Sequence, residues 1–126
     1  MGAGAFVAVG AGAALGAWAR WLAGAWLNPV LPSLPLGTLA VNLAGGYLIG
    51  IAIAFFAAHA SLAPEWRLLV VTGFLGAMTT FSTFSAESVE LLQLGRYAAA
   101  AAHSAAHLAG SIFATILGFA TYRGLT

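Results

Sequence analysis

The sequence predicts an all-α membrane protein with four membrane-crossing helices, and three observations predict it. Of 126 residues, 62% are hydrophobic and 6% charged, against about 25% charged in a soluble domain. A chain this short has no means of hiding that much apolar surface in water, so lipid is the solvent its composition requires. Four stretches are long and apolar enough to cross a hydrocarbon core of about 30 Å, which takes about 20 mainly apolar residues. The segments between them are short and hold all four prolines, so no soluble domain is left over.

The first span is residues 3–27, interrupted only by Arg20. It lacks a basic leader and outruns the apolar core of a signal peptide, so it reads as a permanent span. Pro29, Pro32 and Pro35 then make a connector hostile to helix. The second span is residues 36–58, followed by a link with Pro64. The third is residues 66–94, Gly95 and Arg96 make a turn, and the fourth is residues 97–122. Trp18, Trp21, Trp26, Trp66, Tyr97 and Tyr122 lie near span ends, where aromatic belts sit. Absence of cysteine excludes disulfides, and a net charge of +1 gives no reason to expect nucleic acid.

Two pairs, Gly12/Gly16 and Gly46/Gly50, have the G-x-x-x-G spacing of close helix contacts. They fit tight packing within the chain and a dimer seam equally well. The cations are four arginines and no lysine. Arg67 and Arg123 fall on one side of the membrane, Arg20 and Arg96 on the other. Because Lys/Arg asymmetry sets orientation, this balance predicts dual topology, with copies inserted both ways and paired antiparallel. If Arg20 lies too deep to count as a loop charge, a weak bias remains.

The third span contains Gly73-Phe-Leu-Gly76-Ala-Met-Thr79-Thr80-Phe81-Ser82-Thr83-Phe84-Ser85. Two glycines and a run of hydroxyl residues are poor material for an unbroken helix, so a break at mid-membrane is expected. Irregular backbone at that depth must be buried in protein or line a cavity. The plainer reading is a kinked packing helix whose hydroxyls bond back one turn. Five hydroxyls and two phenylalanines among the seven residues from Thr79 to Ser85 favour a functional lining.

This segment resembles the signature of the small fluoride channels of the Fluc or CrcB family. Gly37-Thr-Leu-Ala-Val-Asn42-Leu-Ala-Gly45-Gly46 resembles the family's second-span motif, and Gly16-Ala-Trp-Ala-Arg20 its first-span motif. The resemblance covers the whole chain. It implies a passive fluoride channel in the bacterial inner membrane, formed by an antiparallel dual-topology homodimer with two pores. It implies that carbonyls of Gly76 and Thr79 hold a structural sodium ion shared by both subunits. Phe81 and Phe84 would line the fluoride path, Asn42 would donate to the ion, and Ser82 and Thr83 would belong to the polar lining. Chemistry makes these roles sensible. Fluoride gives up water only to good donors, which Asn, Ser and Thr supply. A phenylalanine presents a positive ring edge that faces an anion without trapping it.

His103, His107, Ser111 and Thr115 recur every four residues and form one polar stripe, which should face the bundle. In the family the position of His103 is often tyrosine and that of His107 often a small hydroxyl residue, so the histidines depart from the pattern. They read as donors to fluoride in a pH-sensitive pore, as packing residues bonded between helices, or as a metal pair that lacks further obvious ligands. Arg20 either snorkels to the interface or gathers anions at a vestibule. Glu87 and Glu90 read as solvated residues at a helix end, with a vestibule role open for Glu87. A dual-topology drug transporter would need an embedded proton-exchanging carboxylate in the first two spans, and they contain none. A membrane enzyme using His103 and His107 would need a cofactor or metal site that the chain does not supply, and a structural subunit without transport is told apart by the absence of fluoride efflux from loaded liposomes.

Overall fold

Alanine and leucine dominate the first two spans and favour helix. In the computed structural model, which describes residues 1–126, α1 (Ala3–Leu27) and α2 (Leu36–Ala58) keep the expected bounds. A single 3₁₀ turn, Asn28–Val30, follows α1, because Pro29 has no N–H to continue the α-helical ladder. Asn28 then reaches forward. Its Oδ1 accepts from the N–H of Gly37 at 2.7 Å and of Thr38 at 3.2 Å, satisfying donors that the start of α2 leaves free.

The third span runs Pro64–Gln93. It begins two residues before the expected start, because Pro64 is tolerated in a helix's first turn, where its missing N–H is no loss. It opens as α3 (Pro64–Arg67), widens into a π-helical segment, Leu68–Leu75, and returns to α geometry in α4 (Gly76–Met78). Thr79 (φ −82°, ψ 154°) and Thr80 (φ −149°, ψ 112°) are extended. Helix resumes as α5 (Phe81–Gln93), capped by Thr80 Oγ1 accepting from Thr83 N–H at 3.1 Å. Gly95, with φ +73°, ends α5. Arg96 N–H bonds Leu91 O and Gly95 N–H bonds Leu92 O, the paired bonds of a left-handed glycine stop. The last helix, α6 (Tyr97–Leu125), continues past the expected end at 122.

Helix α1 packs on the π segment and α4, and α2 packs on α6. Both glycine pairs are used up in these contacts. A Cβ on Gly12 would strike the Leu69 carbonyl, and one on Gly16 the Phe74 carbonyl. A Cβ on Gly46 would meet Ser111 O, and one on Gly50 would strike Thr115 O. The glycines therefore serve packing within the chain.

Only 18 of 126 residues are buried, and the large apolar ones mostly face outward. Phe6, Trp18, Trp21, Trp66, Tyr97, Phe113 and Ile116 are exposed, while Thr38, His103 and His107 are buried. In water this distribution would be ruinous; in hydrocarbon, large apolar groups outside and small or polar groups inside is the stable arrangement.

Gly16→Val should drive α1 off the third span and cost about 2 kcal/mol or more, read as a lowered unfolding midpoint in detergent. Gly10→Ala, where nothing lies within 4 Å of the added carbon, should not lower the midpoint. Equal behaviour of the two would contradict the packing account.

Candidate functional site

The interruption at Thr79 and Thr80 leaves backbone groups without helical partners, and Asn42 on α2 supplies them. Its Oδ1 accepts from Thr80 N–H at 2.7 Å, and its Nδ2 donates to Thr80 O at 3.1 Å. In an unbroken helix Thr80 N–H would have gone back to Gly76 O. Thr83 N–H, which would have reached Thr79 O, is held by Thr80 Oγ1. The carbonyls of Gly76 and Thr79 have thus lost the donors that a continuous helix would give them. Leu75 O takes both the N–H and the hydroxyl of Thr79, at 3.1 and 2.9 Å. Ala77 O accepts from Arg20 Nε at 2.9 Å, a cation at the negative end of the first half-helix.

Because Asn42 Oδ1 must accept from Thr80, the amide orientation is fixed, and Nδ2 also donates to His107 Nδ1 at 3.0 Å. That choice puts the proton of a neutral His107 on Nε2. His107 is 4% exposed and its Nε2 has no hydrogen-bond partner. One turn earlier, His103 is fully buried. Its Nε2 lies 3.0 Å from Glu87 Oε1, and its Nδ1 2.9 Å from Ser88 Oγ. Thr38 Oγ1 donates to Glu87 Oε2 at 2.7 Å. Ser88 Oγ lies 3.3 Å from Ser104 Oγ. Further along α6, Thr115 Oγ1 donates to Gly46 O at 2.8 Å, so the stripe faces the bundle as expected.

The aromatic groups complete the site. Phe84 stacks against His103, centroids 5.3 Å apart, and tilts over His107 at 4.7 Å. Phe81 meets Phe84 edge to face at 5.3 Å and is 76% exposed. A cavity of about 390 Å³ is lined by Asn42, Thr79, Thr80, Phe81, Phe84 and His107 among others, with Gly76 on its wall. A second, of about 280 Å³, is lined by Arg20, Asn28, Thr38, Thr80 and Thr83. Thr80 borders both. Gly45 makes the fit possible, since a Cβ there would collide with the Thr79 methyl group.

Most of the expected site residues therefore converge. Asn42, Phe81, Phe84, His107, Gly76 and Thr79 share one cavity, and Arg20 and Thr83 share the other. Ser82 stays exposed near Thr80, with 3.3 Å between their hydroxyl oxygens. Glu87 departs from the solvated helix end expected of it. Its side chain is 12% exposed and held by two donors. Glu90 does remain exposed. Ser88, Ser104 and Asn28 are further partners, outside the sequence motifs. Ser88 does carry a signal, because it lies four residues after Phe84 and so on the same helical face. The reach of Asn28 across a proline connector leaves no periodic trace.

The family described as CrcB-like protein, Camphor Resistance (CrcB), matches residues 7–119. The chain is 62% identical over 120 residues to a Ralstonia nicotianae protein named fluoride-specific ion channel FluC, covering 95% of each. It is 64% identical over 119 residues to one of that name from Chromohalobacter salexigens, covering 94% of this chain and 90% of the relative. With the one from Cupriavidus metallidurans it shares 58% identity over 125 residues, 99% of each.

Asn42→Ala strands the Thr80 N–H and carbonyl together. Stability in detergent should fall by about 2 kcal/mol or more, since each unpaired buried group costs about 1–3 kcal/mol. An unchanged unfolding midpoint would show that Asn42 does not hold the interruption.

Proposed function

The chain belongs to the CrcB-like family, and from that membership we propose that it is a passive, fluoride-selective channel of the bacterial inner membrane. The family is one of ion channels and not of enzymes. The observation that carries the reading is the meeting of Asn42, Phe81, Phe84 and His107 around an interrupted third span. The interruption serves as a mid-membrane break, where backbone is irregular because it lines an ion path.

Along that path the protein supplies N–H and O–H donors in place of water. His107 Nε2–H is a buried donor without a partner, and α5 adds the hydroxyls of Ser82 and, in the neighbouring cavity, Thr83. The ring edges of Phe81 and Phe84 offer weak positive potential over a longer stretch. Weak, repeated sites let an ion both enter and leave. Arg20 lines the neighbouring cavity with Thr38 and Thr83, where its charge draws anions toward a vestibule.

The working unit is an antiparallel homodimer with two pores. The exposure of Phe81 at the edge of this cavity supports a second copy that closes this face. Two arginines toward each side support dual topology, and the bond from Arg20 to Ala77 leaves at most a weak bias. The carbonyls of Gly76 and Thr79, relieved of their helical donors, suit the oxygen-only ligand set of a sodium ion, which would supply a fixed positive charge beside the path.

Purified protein in fluoride-loaded liposomes should release fluoride passively and exclude chloride. Phe81→Ile or Phe84→Ile should slow release by about tenfold or more, a loss of about 1.4 kcal/mol of barrier lowering, without preventing dimer formation. Unchanged release in both variants would remove the aromatic path. A C-terminal reporter should be found on both faces of the membrane in one population; a single orientation would contradict dual topology.

A further inference from the structure

Three potential metal ligands meet beneath Phe84. A ring nitrogen of His103, a ring nitrogen of His107 and a carboxylate oxygen of Glu87 lie within 4.8 Å of one another. The two histidines are buried, and the Glu87 side chain is 12% exposed. Seen in the sequence, the i, i+4 histidines lacked a further ligand; α5 brings Glu87 to them. His107 Nε2 is buried and engages nothing, which is costly for a polar atom unless some group takes it up.

We propose that Glu87, His103 and His107 form a binding site for a divalent transition-metal ion of the zinc class, and that its occupation arrests ion passage. The second half rests on the channel reading; the first does not. Two imidazoles and a carboxylate are a three-ligand set that zinc accepts with its fourth position open. Imidazole nitrogen favours zinc, cobalt, nickel and copper over magnesium and calcium. Metal bonds of about 2.0–2.2 Å require the three side chains to close in by roughly an ångström, within the reach of rotamer adjustment.

The protons balance without loss or gain. His103 moves its proton from Nε2 to Nδ1, where Ser88 Oγ turns from donor to acceptor and donates in turn to Ser104 Oγ. That second partner supports either tautomer, as metal-ligating histidines require. His107 moves its proton from Nε2 to Nδ1, which then opposes the Nδ2–H of Asn42 and breaks that hydrogen bond. Asn42 is the clamp on Thr80, so an occupied site pulls on the interruption. Its positive charge would also hold an anion too firmly to release it.

Cobalt(II) is the probe for binding, added to tag-free dimer in detergent and followed by visible absorption. One ion per chain should give the intense bands of low coordination number. His59→Ala, which removes the one exposed histidine away from the cluster, should keep them. His107→Ala and Glu87→Gln should weaken binding by at least about tenfold. Bands that persist in both variants, or that vanish in His59→Ala, overturn the site. Should those variants not elute as dimers, the His59→Ala protein decides alone: zinc should raise its unfolding midpoint and magnesium should not, and an equal response overturns the proposal. In liposomes, zinc should slow fluoride release and a chelator restore it. Cobalt binding without a zinc effect on release overturns the arrest. No release before zinc is added removes the channel reading, and the cobalt spectrum still decides the site.

Discussion

Thr80 is a peptide unit whose N–H and carbonyl both need partners that its own helix does not provide. Away from bulk water, each would cost about 1–3 kcal/mol if left alone. One side chain, the amide of Asn42, meets the pair, because an amide alone offers an acceptor and two donors in one plane. Its second donor fixes the tautomer of His107. A leucine at 42 would leave both groups unpaired. The extended pair Thr79–Thr80, the freed carbonyls of Gly76 and Thr79, and the cavity between them all follow from that exchange of hydrogen bonds.

The clamp works only if α2, α4 and α6 are held at the right separation, and small residues set that separation. Gly46 and Gly50 let α6 come against α2, which delivers His107 to Asn42. Gly12 and Gly16 let α1 lie directly on carbonyls of the third span, which delivers Arg20 to Ala77 O. Apolar burial contributes little to this, since lipid is as apolar as leucine. Backbone contact and buried hydrogen bonds are what remain. The same glycines that look like a packing motif are therefore part of how the site is positioned.

Much of this was legible in the sequence because membranes permit few solutions. The four spans followed from length and hydropathy, and Pro29 and Gly95 marked where helices end. The Thr79–Ser85 run announced itself by polarity in an apolar setting. What stayed hidden is pairing between distant elements. Glu87 near a helix end reads as solvated until α6 is placed beside it, and Thr38 and His103 then take its two oxygens. The G-x-x-x-G spacing does not say whether its partner is within the chain or in another copy. The π segment has no sequence period of its own, and the bond from Asn28 to α2 spans a connector that carries no regular pattern.

The two histidines look equivalent in a stripe of i, i+4 residues, yet their surroundings give them different work. Both His103 nitrogens are engaged, one by Glu87 and one by Ser88. A carboxylate beside the proposed anion path would repel the anion if it stood alone. Here Thr38 and His103 each direct a donor at it, spreading its charge into a fixed polar group and turning His103 into its partner. His107 has only its Nδ1 engaged, as an acceptor, and so keeps one directed N–H with nothing to meet. A small hydroxyl at 107 could rotate to bond its own helix one turn back and leave nothing unspent. A ring held by Asn42 and covered by Phe84 cannot, so the histidine at this position leaves a directed donor at the interruption.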